Sequence, residues 1–357
     1  MPARILKPEQ AAEAAHILRA GGLVGFPTDT IYGVAGLADN SFNNAKLRAL
    51  KGGRPEPFSL HAGDVESALH FAGGLGPMEC RLARALTPHG ATLVVAAASR
   101  PHGLGLRVVR HGLGSRLLLA VGAPVVATSA NLHGQPVLND AAAIAALPGV
   151  DAVLDAGPLP PRPASTVARM LPAGLQVLRE GALPAPELAR RCLTRVLFVC
   201  LGNLNRSAFA HGLVHTLQER LAALPRFVPL FAPRSRGTIA HPAMTVPEPM
   251  LEAALARGVD LSRHTPKPLQ PRDSADADLV VAMGDEVAGD VPPGALNLRV
   301  PDPMGGEAAE FAACARTIAC RLRERLLPGW AVGDAVDAAF KAELDELFFR
   351  DCNGSRT

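Results

Sequence analysis

Residues 195–207 run RVLFVCLGNLNRS. The apolar run 196–200 is short, β-branched in part, and closed by the turn at Gly202, which is the pattern of a buried strand. A helix is expected from Ser207 onward, so the strand delivers Cys200 to the carboxyl edge of a sheet. A loop between such a strand and a helix N-terminus turns backbone N–H groups inward and makes an anion nest. The positive helix end also favours ionised sulfur at Cys200. Arg206, separated from Cys200 by five residues, offers a planar fork for two phosphate oxygens. Around them, Gly202 permits close backbone approach, Asn203 braces the loop, and the Ser207 hydroxyl donates to the thiolate.

Downstream, helical periodicity at 207–222 and 247–257 is followed by a strand at 278–283 and a long helix at 307–327. Alternation of this kind predicts an α/β domain with a parallel sheet. A thiolate attacking phosphorus needs a proton for the leaving oxygen, and Asp302 in VPDPMGG is the candidate. It follows a strand-like stretch, 295–300, and would act first as acid and then as base for the hydrolytic water. The tail, 334–350, reads as an amphipathic helix without assigned chemistry.

These segments resemble the low-molecular-weight protein phosphatases over about 195–328. The resemblance rests on VLFVCLGNLNRSAFA (196–210), SRGT (235–238), RGVDLSRH (257–264), DLVVAM (278–283) and VPDPMGGE (300–307). It implies Cys200 as nucleophile, Arg206 as phosphate clamp, Asp302 as general acid, a phosphoprotein substrate and no cofactor. Asn205 stands where the family often has a second cysteine, and Ala208 where it usually has proline. The substrate stays open between phosphotyrosine and phosphoarginine. DPMGG is similar to members acting on phosphoarginine, whereas Leu204 is closer to the tyrosine type. Arsenate reduction would need resolving cysteines, and Cys314 and Cys320 read instead as core cysteines of an amphipathic helix.

Upstream, proline-rich punctuation at 158–163 and 183–187 places a boundary near 186–194, giving domains at 1–186 and 195–357. The first half shows a helix at 8–20 closed by Gly21-Gly22, strands at 23–26, 91–98 and 123–128, and short helices at 141–146 and 186–191. Four segments carry polar chemistry: GGLVGFPTDTIYGVAG (21–36), KGGRPEPFSLH (51–61), LRVVRH (106–111) and TSANLHGQP (128–136). STV (165–167) and LREG (178–181) follow. Such lysines and arginines neutralise phosphates, while serine and asparagine donate to phosphate oxygens or hold Mg²⁺ through water. Triphosphate handling is the chemistry they suit, without a glycine-rich Walker loop.

In order and spacing the segments resemble the YrdC-like threonylcarbamoyl-adenylate synthases over about 5–182. That resemblance implies a twisted open α/β sheet and condensation of L-threonine, bicarbonate and ATP, with Mg²⁺, to threonylcarbamoyl-AMP for the t⁶A modification of tRNA. Lys51, Arg54, Ser129, Asn131 and Arg179 would contact ATP. Thr30, His61, Arg107 and Ser165 would hold threonine. tRNA-modification proteins are possible partners. Two residues, Gly52 and Gly53, separate Lys51 from Arg54 where the family usually has one. That change motivates an alternative: a non-catalytic nucleotide- or RNA-binding module in front of an active phosphatase.

Composition bounds these readings. The chain has 357 residues, 48% hydrophobic and 19% charged, which is globular and long enough for two cores. Net charge is +3, divided as 17 Lys+Arg against 13 Asp+Glu in 1–190 and 19 against 20 in 191–357, so neither half is a dedicated nucleic-acid binder. The six cysteines form no Cys-x-x-Cys pair, which argues against structural zinc, and their spacing is no disulfide framework. A charged N-terminus and the lack of a long apolar run predict a cytoplasmic protein without membrane spans.

Overall fold

A computed structural model describes residues 3–53, 58–97, 100–329, 335–350 and 352. They cluster into two compact units. Residues up to Met170 together with Val177–Arg191 form one, and Leu171–Gln176 together with residues from Cys192 onward form the other.

The first unit is α/β around a mixed sheet. Its strands run in the order Arg4–Leu6, Ala152–Leu154, Val24–Phe26, Gly33–Leu37, Val125–Ser129, Ser59–Ala62, Arg100–Val108, Ala91–Ala97 and Thr166–Leu171. Alternate side chains go to opposite faces, as strand geometry requires. Val24, Ala35, Val125 and Ala127 pack under the helices Ala11–Arg19 and Gly112–Val121. Leu23, Val34, Val126 and Val153 pack on the other face with Leu47 and Leu50 of helix Ser41–Leu50. That helix starts where Asn40 accepts from the Phe42 and Asn43 amides, satisfying two of its first N–H groups. It ends at Lys51, which brings the lysine to the carboxyl end of strand Val125–Ser129.

In the second unit the sheet is wholly parallel, in the order Phe231–Gly237, Thr194–Cys200, Leu279–Ala282, Leu296–Asn297. Thr194–Cys200 is first in the chain but second in the sheet, so the strand order reverses beside it. A ligand crevice is expected at the carboxyl ends of strands at such a switch point. Leu197, Val199, Val280, Ala282 and Val287 form a core cluster on one face, and Val196 and Phe198 are also fully buried. Helix Arg206–Leu221 follows the loop directly, and its N-cap, Asn205, makes no side-chain capping bond to the first amides. Only Leu296–Asn297 of the strand-like stretch 295–300 is strand. Helices Ala308–Arg325 and Ala335–Phe349 close the unit.

One cysteine reading is corrected. Cys320 is not a free core cysteine: it is disulfide-bonded to Cys352, 32 residues on. The bond exists because the tail helix folds back against Ala308–Arg325, a contact that spacing alone does not reveal. Cys314 is a buried free thiol, as expected, and burial pushes it up to about 12. Among the described residues no helix is long and apolar enough to cross a membrane.

Candidate active sites

The loop after Thr194–Cys200 gathers the second unit's candidates. Cys200 is 2% exposed, and its Sγ lies 3.0 Å from the Ser207 Oγ. Ser207 Oγ also accepts from Asn203 Nδ2 at 2.8 Å. Asn203 is fully buried with φ 54°, the left-handed conformation that asparagine tolerates better than most residues. Three contacts hold it there. Its Oδ1 accepts from the Lys267 amide at 2.9 Å, its carbonyl accepts from His264 Nε2 at 2.8 Å, and its amide reaches Ser207. His264 therefore carries its proton on Nε2, and burial lowers its pKa from the ordinary histidine value. Gly237 of the SRGT segment lies hard against the loop. A Cβ there would sit 2.3 Å from the Leu201 carbonyl oxygen, so no larger residue fits. At Gly202 the nearest protein atom to such a Cβ is Leu204, at 3.4 Å.

Arg206 is 1% exposed. Its Nη2 donates to Asp302 Oδ2 at 2.5 Å, and its Nη1 donates to the Val300 carbonyl at 3.1 Å and to the Glu286 carboxylate. Its Nε is buried with no hydrogen-bond partner among the described residues, as is Asn205 Oδ1. Asn205 Nδ2 is 3.4 Å from Asp302 Oδ1, which also accepts from the Met304 amide at 3.2 Å. Cys200, Arg206 and Asp302 thus belong to one continuous network with the loop residues. A buried guanidinium with an unpartnered donor beside an uncapped helix start is built to take an oxyanion.

In the first unit the candidates fall into three groups. Lys51 Nζ donates to Ser129 Oγ and its carbonyl at 3.0 Å, and to Asn131 Oδ1 at 2.5 Å and its carbonyl at 2.8 Å. Arg179 donates to the Ser165 carbonyl at 2.9 Å, and Ser165 Oγ is 2.9 Å from Thr92 Oγ1. Arg107, 2% exposed, pairs with Asp29 at 2.7 Å and donates to the carbonyls of Thr87 and Val108. Arg107 lies opposite His61 in the register of two parallel strands. His61 Nδ1 is 2.9 Å from the Ser59 carbonyl, and withdrawal from water lowers its pKa to about 4. The ring is therefore neutral, with Nε2 left as acceptor. A cleft of about 470 Å³ is lined by Asp29, Thr30, His89, Arg110 and Arg162 among others. Thr30 Oγ1 is 3.0 Å from Thr28 Oγ1. Arg54 lies outside the described residues.

Comparisons with known proteins decide the family. A family described as telomere recombination (Sua5/YciO/YrdC) matches residues 16–181. A putative threonylcarbamoyl-AMP synthase of Mycobacterium leprae is 32% identical over 194 residues, which is 50% of this chain and 86% of that protein. The threonylcarbamoyl-AMP synthase of Chromohalobacter salexigens is 31% identical over 147 residues, covering 39% of this chain and 80% of its own length. The chain belongs to the Sua5/YciO/YrdC family. Behind that region it matches the low molecular weight phosphotyrosine protein phosphatases over 195–336, so it is a fusion of the two. A solved structure of a Bacillus subtilis YwlE mutant is similar to this chain at 26% identity, covering 37% of this chain and 95% of its own, with a TM-score of 0.32.

Residues to which the sequence analysis gave no role stand in both units. In the YrdC-like unit, Asp29 carries the Arg107 guanidinium, and Arg110 and Arg162 line the cleft. In the phosphatase-type unit, Glu286 shares Arg206 with Asp302, and His264 locks Asn203. Glu286 follows the end of strand Leu279–Ala282, beside the Cys200 strand, and that position was its one available signal.

Proposed function

We propose that one polypeptide carries two activities. The phosphatase-type unit removes phosphoryl groups from proteins by hydrolysis, from tyrosine (a phosphomonoester, P–O bond broken) or from arginine (a phosphoramidate, P–N bond broken). The observation that carries this reading is the Arg206 guanidinium, buried with a spare Nε and bonded to Asp302, in the loop that begins at Cys200. Cys200 as thiolate attacks phosphorus, and the bond to the leaving atom breaks as Asp302 donates its proton there. Ser207 stabilises the sulfur anion through its hydroxyl, 3.0 Å away. Asp302, now a carboxylate, takes a proton from water as that water attacks the phosphocysteine, which releases phosphate and the thiolate. Arg206, Gly202 and the loop amides bind the oxygens of the transferring group throughout.

The Sua5/YciO/YrdC unit forms threonylcarbamoyl-AMP and pyrophosphate from L-threonine, bicarbonate and ATP, for t⁶A synthesis. Its relatives' names support this, together with the clustering of Lys51, Ser129 and Asn131. Lys51, Arg54, Ser129, Asn131 and Arg179 hold ATP, while Thr30, His61, Arg107 and Ser165 form the threonine side. Neutral His61 accepts a hydrogen bond at Nε2, and Asp29 fixes Arg107. Among the described residues no group of three or more His, Cys, Asp or Glu converges on one point. Hydroxyl and amide oxygens of Ser129 and Asn131 suit the water shell of Mg²⁺ brought by the nucleotide, where it would offset phosphate charge.

The test is pyrophosphate release by the full chain with Mg²⁺ and ATP. Release that requires both threonine and bicarbonate is expected. ATP binding without any release would instead mark the unit as a nucleotide-binding module.

A further inference from the structure

Arg206 has three partners, and they are unequally placed. Nη1 is taken twice, by the Glu286 carboxylate and by the Val300 carbonyl. Nη2 bonds Asp302, and Nε is free of partners among the described residues. A guanidinium grips two oxygens of an oxyanion with a fork of neighbouring N–H groups. With Nη1 committed, that fork is Nε and Nη2. Asp302 stands on one prong of it, and its duty as acid takes it to the leaving atom. Glu286 has no such duty.

The backbone is shaped around this carboxylate. A Cβ at residue 284 would lie 2.2 Å from Glu286 Oε2 and 2.8 Å from Arg206 Nη1. Gly284 has φ −156°, an extended conformation open to any residue, so what a side chain there would meet first is the Glu286 carboxylate in its place on Arg206, and not backbone. Glu286 sits in the short 3₁₀ turn Asp285–Val287, and Val287 anchors that turn in the core cluster with Leu197 and Val199.

We infer that Glu286 is a positioning residue of the phosphate clamp. It holds Nη1 so that Nε and Nη2 face the phosphoryl group. This rests on the phosphatase reading of the same site and names a residue that no motif assigns. A carboxylate beside a cation also weakens the cation's pull on an anion. If Glu286 were only a competitor for Arg206, its removal would tighten phosphate binding. Positioning requires the opposite.

The experiment uses the full chain and inorganic phosphate. Phosphate protection of Cys200 against iodoacetamide, read by peptide mass spectrometry, gives the affinity at this site whether or not the protein turns over. In Glu286→Ala, phosphate is expected to bind about tenfold more weakly, the loss typical of a charged hydrogen bond. Glu286→Gln keeps an acceptor oxygen and is expected to recover most of that loss. Gly284→Ala is expected to resemble Glu286→Ala, because its methyl displaces the carboxylate. Aryl phosphates of graded leaving group should show a lower kcat/KM in the weak variants with the leaving-group dependence unchanged, since Asp302 is intact. Equal or tighter phosphate binding in Glu286→Ala overturns the inference. So does a lowered Tm with phosphate affinity unchanged, which would make Glu286 a structural contact. A wild-type protein that is protected by phosphate but hydrolyses no aryl phosphate defeats the phosphatase reading, while the affinity ratios still decide Glu286. Absence of protection in the wild type defeats both.

Discussion

The two candidate sites are built on opposite plans. In the phosphatase-type unit, Cys200, Gly202, Asn203, Arg206 and Ser207 lie on one strand–loop–helix, while Asp302, Glu286 and His264 come from elsewhere. In the YrdC-like unit the candidates are spread over strands Ser59–Ala62, Arg100–Val108, Val125–Ser129 and Gly174–Arg179 and the segments next to strands or helices, such as Ser165 before Thr166–Leu171. A contiguous loop makes its anion site largely from backbone amides, which no side-chain substitution removes. A dispersed site is held by side-chain pairs such as Arg107 with Asp29, and each pair is a separate point of failure. The first plan concentrates chemistry in single residues, and the second ties chemistry to stability.

The largest expected effect separates the plans outright. Cys200→Ser should lower aryl phosphate hydrolysis by ~10⁵-fold, as loss of a nucleophile does. Pyrophosphate release by the other unit should be unchanged, and a parallel loss in both assays would break the comparison. Next, Asp302→Ala should slow turnover by ~10²-fold to 10³-fold for poor leaving groups and much less for good ones. Uniform slowing across a series of aryl phosphates would deny Asp302 the acid role. In the dispersed site, Asp29→Ala strands a guanidinium that is 2% exposed. It should destabilise the chain by about 3 kcal/mol in chemical denaturation, the cost of breaking a buried ion pair. A loss of activity at full stability would instead make Asp29 a substrate contact.

A further effect is one of pH and is shared by both units. His61, on strand Ser59–Ala62, and His211, on helix Arg206–Leu221, are each lowered to about 4, chiefly by burial. Between their folded value and the unfolded value near 6.5, the unfolded chain binds protons that the folded chain does not. Their contribution to stability is therefore full above about pH 6.5, falls as the pH drops toward 4, and levels off below. His211→Gln should flatten part of that slope in pH-dependent thermal unfolding. An unchanged slope would show that His211 does not contribute.

Much of this was legible in the sequence where the physics is local. The apolar run closed by Gly202 announced a central strand, and Thr194–Cys200 is that strand. Its neighbour Phe231–Gly237 was missed because FAPRSRG carries proline and two arginines. A sheet-edge strand tolerates such residues, and this one lies at the edge. Lys51, Ser129 and Asn131 were named together, and the structure brings them into contact. Arg107 was named too, but not the aspartate that holds it, because Asp29 is 78 residues away in the chain. Glu286 escaped for the same reason, 80 residues from Arg206, and Cys320 with Cys352 depends on how the tail helix folds back. Pairings between distant segments leave no periodicity to read.

The account turns on the sulfur of residue 200 attacking phosphorus. Rapid quenching of the full chain with a ³²P-labelled aryl phosphate tests this directly. Label on the Cys200 peptide at up to one phosphoryl group per chain, accumulating when Asp302 is replaced and a good leaving group is used, is the expected result. Steady turnover with no labelled protein, or label on any other residue, would contradict it.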